Sequence, residues 1–225
     1  MTAIRTPAIF LSFDDWHEAA WTDYLPTMLA HGVKATFYSC PRRGCTDAPM
    51  IKSRDDIPYD YWIRLWALED AGHTVGYHTV NHAIMDVLPS DPAIISEIDE
   101  GLDWFALSGL EPRHFAYPGG KHNPVIDKFL LGRFQTLRTI VPSDDLGAMR
   151  YYTPETVMGE RIFVAYDLQY PGAFDAVKTA LDGNLIAFFF AHHPGESAAE
   201  LNELYRLAEQ SGATFYPMSA LETGR

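Results

Sequence analysis

This chain of 225 residues has few basic residues and very little cysteine. It contains 17 Lys and Arg against 30 Asp and Glu, which gives a net charge of -13, and no basic run occurs. Nucleic acid and anionic membrane surfaces are therefore poor partners for it. Its two cysteines, Cys40 and Cys45, allow a small-loop disulfide or half of a metal site. We expect two reduced thiols, which is the usual state in a cytosolic protein.

The N-terminus also lacks a charged segment followed by a long apolar run, and it enters a predicted strand by residue 8. We therefore expect a cytoplasmic protein without a signal peptide or a membrane span. A length of 225 residues suits one α/β domain, residues 1–225, better than two. The hydrophobic content of 47% is enough for a sizeable core.

Short apolar strands alternate with helices along the chain. Strands are predicted at residues 8–13, 33–39, 74–77, 115–120, 136–141, 161–166, 185–191 and 213–218. Helices are predicted at residues 21–31, 59–71, 90–108, 123–131, 173–181 and 201–210. Strands that are apolar on both faces and alternate with helices indicate a parallel sheet flanked by helices. Residues 41–58 are predicted to form a long loop, which is often functional.

Polar residues suited to metal binding or acid–base chemistry follow several predicted strands. In a barrel of parallel strands the carboxyl ends gather on one face, where active sites form. We therefore expect these residues to lie near one another. They are Asp14, Asp15, His78, His82, the Pro-Gly-Gly turn at residues 118–120, and His192.

His78 and His82 stand four residues apart, so a helix after Tyr77 would place both imidazoles on one face. Imidazole suits zinc and other first-row metals, and a hydrolytic site needs a third ligand and an open position for water. Asp14 and Asp15 point to opposite sides of a strand end, so they can take different tasks. The alternatives are that the histidines are ordinary surface or core residues and that Asp15 only caps the next helix.

Five segments of the chain together resemble the polysaccharide deacetylase superfamily, the NodB-like type of carbohydrate esterase family 4. The resemblance runs in order from residue 8 to about residue 193. It implies a distorted (β/α)7-type barrel with parallel strands. It also implies a metal-dependent hydrolase that removes an acetyl or similar acyl group from an N- or O-acylated carbohydrate. The segments are residues 12–15 (SFDD), 33–37 (VKATF), 72–82 (GHTVGYHTVNH), 115–120 (FAYPGG) and 190–192 (FAH).

The resemblance also implies a role for individual residues. Asp15, His78 and His82 match the metal ligands of the family, Asp14 matches its catalytic base, His192 matches its general acid, and the backbone N–H of Gly119 matches the group that stabilises the oxyanion. Zn²⁺ is the implied metal, with Co²⁺, Ni²⁺ or Mn²⁺ as alternatives. His193 is the rival of His192 for the role of the acid.

The chain departs from the family pattern at three places. Trp16 replaces a usual glycine, and its ring either stacks on a sugar at the mouth of the site or packs against the first helix. Ala116 replaces the arginine that pairs with the base, and Arg113 is the candidate substitute. The aspartate that orients the acid histidine is not recognisable. Its candidates are Asp144, Asp145 and Asp167.

Two further functions stay open at this point. The first is an amide hydrolase of a small, non-polymeric cytosolic substrate, which the missing secretion signal and the missing arginine favour. The second is a carbohydrate-binding homologue without turnover. The presence together of Asp14, Asp15, His78, His82 and His192 argues against it.

Overall fold

The computed structural model describes residues 4–42, 54–88, 91–142 and 145–222. The strands are β1 (Ala8–Asp15), β2 (Ala35–Ser39), β3 (Thr74–Tyr77), β4 (His114–Ala116), β5 (Thr136–Ile140), β6 (Ile162–Asp167), β7 (Ile186–Ala191) and β8 (Thr214–Phe215). The helices are α1 (Glu18–Asp23), α2 (Leu25–Ala30), α3 (Tyr59–Asp70), α4 (Asp91–Leu107), α5 (Pro124–Leu130), α6 (Pro154–Gly159), α7 (Ala173–Asp182) and α8 (Ala198–Ser211). Short 3-10 helices lie at Arg54–Asp56, Met85–Val87, Pro118–Gly120, Leu146–Ala148 and Met218–Leu221.

Strands β1 to β7 form a closed barrel of parallel strands. β1 pairs with both β2 and β7, which closes the ring. β8 pairs only with Ala8 and Ile9 at the start of β1. The contact between β3 and β4 is the slightest, because a single pair, Tyr77 with Phe115, joins them. The predicted α/β fold, a distorted (β/α)7-type barrel with parallel strands, is confirmed.

Both faces of the strands are buried, which explains why they are apolar throughout. Along β1, Ile9, Leu11 and Phe13 pack outward against the helices. Phe10 faces the interior of the barrel, where its ring stacks on Phe188 with 4.7 Å between centroids. The interior is thus packed with side chains below the face that carries the candidate site.

Some predicted elements differ from the observed ones. The helix predicted at residues 21–31 begins earlier, at Glu18, and breaks at Tyr24. Pro26 lies in the first turn of α2, where its missing N–H costs no hydrogen bond, so a new helix starts there. The strand predicted at residues 213–218 is only two residues long, and α6 was not predicted. Most of the predicted loop at residues 41–58, including Cys45, lies outside the described residues.

Within the described part of the chain, no helix combines the length and the hydrophobicity that crossing a bilayer requires.

Candidate active site

The loop after β3 brings the two histidines together, but not on a helix. Thr79 and His82 have φ values of 62° and 58°, which a right-handed helix excludes. The shared helical face that the four-residue spacing would allow is therefore not what brings the two histidines together. The hydroxyl of Thr79 accepts a hydrogen bond from the N–H of Ala83 at 2.9 Å and closes a tight loop instead. The rings of His78 and His82 still lie side by side, with 5.0 Å between centroids.

Asp15 faces both histidines from the end of β1. Its Oδ1 is 3.5 Å from Nε2 of His78 and 3.2 Å from Nε2 of His82. Nδ1 of His78 lies 2.7 Å from the carbonyl oxygen of Ala116. Because a carbonyl only accepts, Nδ1 carries the proton and Nε2 presents its lone pair.

This arrangement fits a divalent cation. One ligand atom from each of Asp15, His78 and His82 lies within 4.8 Å of the others, and among the described residues no other such group of three forms. Oδ1 of Asp15 is buried and takes no hydrogen bond from the described residues. Two imidazoles and one carboxylate are a donor set that zinc accepts, with a fourth position left open.

The carboxyl of Asp15 is ionised at neutral pH. Burial raises its pKa, but the neighbouring His78 and His82 outweigh burial and hold the pKa well below its usual value. Asp15 therefore offers a negative charge to a cation without first losing a proton.

Asp14 points away from this group into the barrel, where an arginine meets it. Nη2 of Arg138, on β5, donates a hydrogen bond to Oδ2 of Asp14, and the two residues are 1% and 3% exposed. The guanidinium also lies 4.8 Å from the centroid of the Phe190 ring. The other oxygen, Oδ1 of Asp14, is buried and unpaired within the described structure. One carboxylate oxygen is thus held in place, while the other has no hydrogen-bond partner among the described residues.

Arg113, the candidate substitute, does not take the place of the missing arginine. It precedes β4 and forms ion pairs with Glu111 at 3.2 Å and Glu222 at 3.7 Å. Its side chain is 44% exposed. Asp14 lies at the carboxyl end of β1, whereas Arg113 lies at the amino end of β4. In parallel strands these ends are on opposite faces of the barrel.

Sequence reasoning missed Arg138, although the sequence carries a signal for it. Arg138 lies within the predicted strand at residues 136–141, between Leu137 and Thr139. An arginine in a strand that is buried on both faces needs a buried acidic partner. The register needed to identify that partner on β1 comes only from the closed barrel.

We expect Arg138→Met to lower the free energy of unfolding by about 3 kcal/mol, because it leaves the buried charge of Asp14 without a partner. The double variant Arg138→Met/Asp14→Asn should recover part of that loss, since no uncompensated charge remains. Urea denaturation of the wild type, both single variants and the double variant measures the coupling. Additive losses in the double variant would contradict a direct ion pair.

The last strand of the barrel places His192 near the same group. Nε2 of His192 is 3.9 Å from Oδ2 of Asp15, and the side chain is 37% exposed. His193 turns elsewhere, and its ring lies 5.2 Å from the ring of His17. Of the two histidines considered for the role of the acid, His192 is therefore the one whose ring nitrogen faces Asp15.

The comparison with known families settles where the chain belongs. The family described as polysaccharide deacetylase matches residues 3–130, more than half of the chain. This chain belongs to the polysaccharide deacetylase family. The resemblance seen in the sequence motifs is thereby confirmed. A search among curated proteins gave no match.

Solved structures of this family share the fold at low sequence identity. A family 4 carbohydrate esterase from Streptomyces lividans in complex with acetate has a TM-score of 0.63 and 17% identity, over 97% of this chain and 95% of that one. A mutant of the peptidoglycan deacetylase PdaC from Bacillus subtilis has a TM-score of 0.62 and 17% identity, over 98% and 92%. A wild-type pseudoenzyme from Bacillus anthracis has a TM-score of 0.62 and 15% identity, over 97% and 67%. These identities show the fold alone, and a deacetylase fold occurs without activity.

Of the two candidate partners of His192 that the structure describes in this member of the polysaccharide deacetylase family, Asp145 and Asp167, Asp167 is the buried one. Its carboxyl interacts electrostatically with His192. Burial raises its pKa, although the N–H of Gln169 donates to Oδ1 at 2.9 Å and lowers it. Asp145 is exposed, and Asp144 lies outside the described residues.

Gly119 lies in the turn after β4, against the end of the histidine loop. Its φ is 59°, a left-handed conformation that glycine adopts without strain. A Cβ on Gly119 would lie 3.1 Å from Cδ1 of Ile84, which is closer than ordinary van der Waals contact. Glycine therefore allows the backbone of this turn to approach the loop that carries His82.

Trp16 lies at the rim of the site. Its ring meets His82 edge-on at 5.8 Å between centroids, and it lies 5.9 Å from the ring of His17. The side chain is half-buried. The indole therefore packs against one of the candidate metal ligands.

A buried glutamate near the site makes stability depend on pH. Glu18 is 2% exposed and accepts a hydrogen bond from the hydroxyl of Ser39. Burial raises its pKa from 4.5 to about 7. Between these two values the folded protein holds the proton more tightly than the unfolded chain does. The free energy of unfolding should therefore fall as pH rises through this window and level off above it.

We expect Glu18→Gln to remove about 1–3 kcal/mol of this pH dependence. Urea denaturation between pH 4.5 and 8 measures it, and the exposed Glu111→Gln is the matched control. A Glu18→Gln curve that runs parallel to the wild type would contradict the assignment.

Proposed function

We propose that this member of the polysaccharide deacetylase family is a metal-dependent hydrolase that removes an acetyl or similar acyl group from an N- or O-acylated carbohydrate. One observation carries the proposal. Asp15 converges with His78 and His82, while Asp14 beside it stays out of that group and keeps one buried oxygen that no described residue pairs with. The two adjacent carboxylates thus lie in different environments, which allows one to bind the metal and the other to act as the base.

Asp15, His78 and His82 would hold the cation. Zn²⁺ suits this donor set best, with Co²⁺, Ni²⁺ or Mn²⁺ as alternatives. When bound, such a cation lowers the pKa of a water molecule towards neutrality and polarises the carbonyl group of the substrate.

Asp14 would accept the proton of the attacking water. Because Arg138 occupies Oδ2, the proton goes to Oδ1. The guanidinium fixes the orientation of the carboxylate, so little reorganisation accompanies the transfer. Arg138 thus acts as a positioning residue for the base.

His192 would protonate the leaving nitrogen or oxygen, since an amine departs poorly as its anion. Its partly exposed ring faces the open side of the site, next to Asp15. The carboxyl of Asp167 would stabilise the imidazolium that gives up this proton. The backbone N–H of Gly119 would donate to the oxygen of the reacting carbonyl, an interaction typically worth about 3 kcal/mol.

A second candidate is an amide hydrolase of a small, non-polymeric substrate. Trp16 against His82, and His17 against His193, place several rings along the rim beside the candidate ligands. Such a rim favours a small substrate over a broad polymer groove. The cytoplasmic location and the single domain at residues 1–225 stay predictions.

Acetate release distinguishes these functions. Metal-free protein is reloaded with Zn²⁺ or Co²⁺ and assayed on N-acetylated chitooligosaccharides, on O-acetylated xylooligosaccharides and on small acetamides. Metal-dependent release from the sugars is the expected result. Release from the small amides alone favours the second candidate. A protein that binds metal but hydrolyses none of these substrates contradicts the proposed activity, and a protein that binds no metal contradicts the site.

A further inference from the structure

The loop that carries His78 and His82 has a backbone conformation that two of its residues adopt only at an energetic cost. Thr79 and His82 both adopt the left-handed conformation, which costs a residue other than glycine about 1 kcal/mol or more. Such a conformation persists only where the surrounding structure determines it. The contacts that hold this loop are therefore part of the candidate metal site.

Glu97, on α4, makes most of these contacts. Its Oε2 accepts the backbone N–H of Asn81 at 3.2 Å, and its Oε1 accepts the side-chain amide of Asn81. Its backbone carbonyl accepts the N–H of Val80 at 3.4 Å and the hydroxyl of Tyr77 at 2.6 Å. One residue of the helix thus binds both the end of β3 and the loop that follows it.

Arg42, just after β2, holds the same asparagine from the other side. Its Nη1 donates to Oδ1 of Asn81 at 3.0 Å, and its backbone N–H donates to the carbonyl of Val80 at 3.1 Å. The guanidinium is itself held by Glu100 and lies 5.0 Å from the centroid of the Trp104 ring. Both ends of the Asn81 amide are therefore engaged, and the side chain cannot rotate.

We infer that Glu97 and Arg42 are positioning residues that set the metal affinity of the site through Asn81. Asn81 directly precedes His82, so fixing it fixes where the His82 ring lies relative to Asp15. His78 is oriented separately by its own hydrogen bond to Ala116. The inference rests on the proposed function, because it supposes that His82 is a metal ligand.

The test measures metal affinity rather than activity. Zn²⁺ affinity is determined by competition with a chromogenic chelator, at a temperature where circular dichroism shows each metal-free variant to be folded. Glu97→Ala and Arg42→Met should each bind Zn²⁺ about 10- to 100-fold more weakly than the wild type. Glu97→Gln keeps one acceptor oxygen and should lose less. Asp99 lies on the same helix as Glu97 and forms a surface ion pair with Arg133, so Asp99→Ala is the matched control and should bind as the wild type does.

The visible absorption of the Co²⁺-loaded protein gives a second readout. It depends on ligand geometry, so we expect it to change in Glu97→Ala and Arg42→Met but not in Asp99→Ala. If Glu97→Ala does not fold, Glu97→Gln and Arg42→Met decide the outcome. Wild-type affinity and spectra in these variants, with only a lower unfolding temperature, would overturn the inference and leave the metal site standing. A wild type that binds neither Zn²⁺ nor Co²⁺ overturns both.

Discussion

Asp14→Asn should bind Zn²⁺ with the affinity of the wild type and lose about 10²- to 10⁴-fold in kcat, the range expected for a general base. The amide has nearly the same shape, and its oxygen can still accept the hydrogen bond from Arg138. It cannot take a proton from water. The rate of acetate release and Zn²⁺ affinity from chelator competition, measured on the same preparation, separate turnover from binding.

Asp99→Asn is the matched control for Asp14→Asn, because it changes an exposed carboxylate that pairs with Arg133 at the surface. It should leave both quantities unchanged. An Asp14→Asn protein that retains the full rate would show that another group accepts the proton. Loss of Zn²⁺ together with the rate would place Asp14 among the metal ligands instead.

Asp15→Ala and His78→Ala should each lose stoichiometric Zn²⁺ and, with it, all metal-dependent acetate release. Each variant removes one of three converging ligands. The loss of Zn²⁺ affinity should therefore exceed the roughly 100-fold loss that follows when a residue hydrogen-bonded to a ligand is removed. Metal content after dialysis against a low concentration of free Zn²⁺ measures this directly. Circular dichroism of the metal-free variants verifies that the barrel is intact.

His122→Ala controls for the loss of a histidine as such. His122 lies outside the candidate site, where its Nδ1 is 3.0 Å from Oδ1 of Asp127. This variant should keep Zn²⁺ at the wild-type level. Stoichiometric Zn²⁺ in Asp15→Ala would mean that the carboxylate does not belong to the ligand set, and the proposed function would then lack its third ligand.

The barrel fold, and the grouping of polar residues at the carboxyl ends of its strands, could be predicted because both follow from local sequence patterns. β1 and β7 are apolar runs that end at Asp15 and just before His192, so a parallel barrel brings those ends together. The conformation of the histidine loop could not be predicted. Thr79 is not a residue type that signals a positive φ, and Glu97, which holds the neighbouring Asn81, lies on α4, outside the loop.

The partner of Asp14 shows a second limit of sequence reasoning. Arg113 lies near the position where the family has an arginine, but it lies at the wrong end of the barrel, among Glu111 and Glu222. Arg138 is 124 residues from Asp14 in sequence and meets it only because β1 and β5 face each other across the interior. A pattern along one strand indicates that a buried charge needs a partner, and the strand register then determines which residue it is.

The Asp14–Arg138 ion pair also links β1 and β5 across the interior of the barrel, two strands that are not neighbours in the sheet. The carboxylate proposed to take the proton therefore also stabilises the barrel. If Asp14 takes the proton as proposed, the pair loses its charge attraction when the carboxylate is protonated and regains it when the proton leaves. In that mechanism the stability of the barrel would depend on the protonation state of the base.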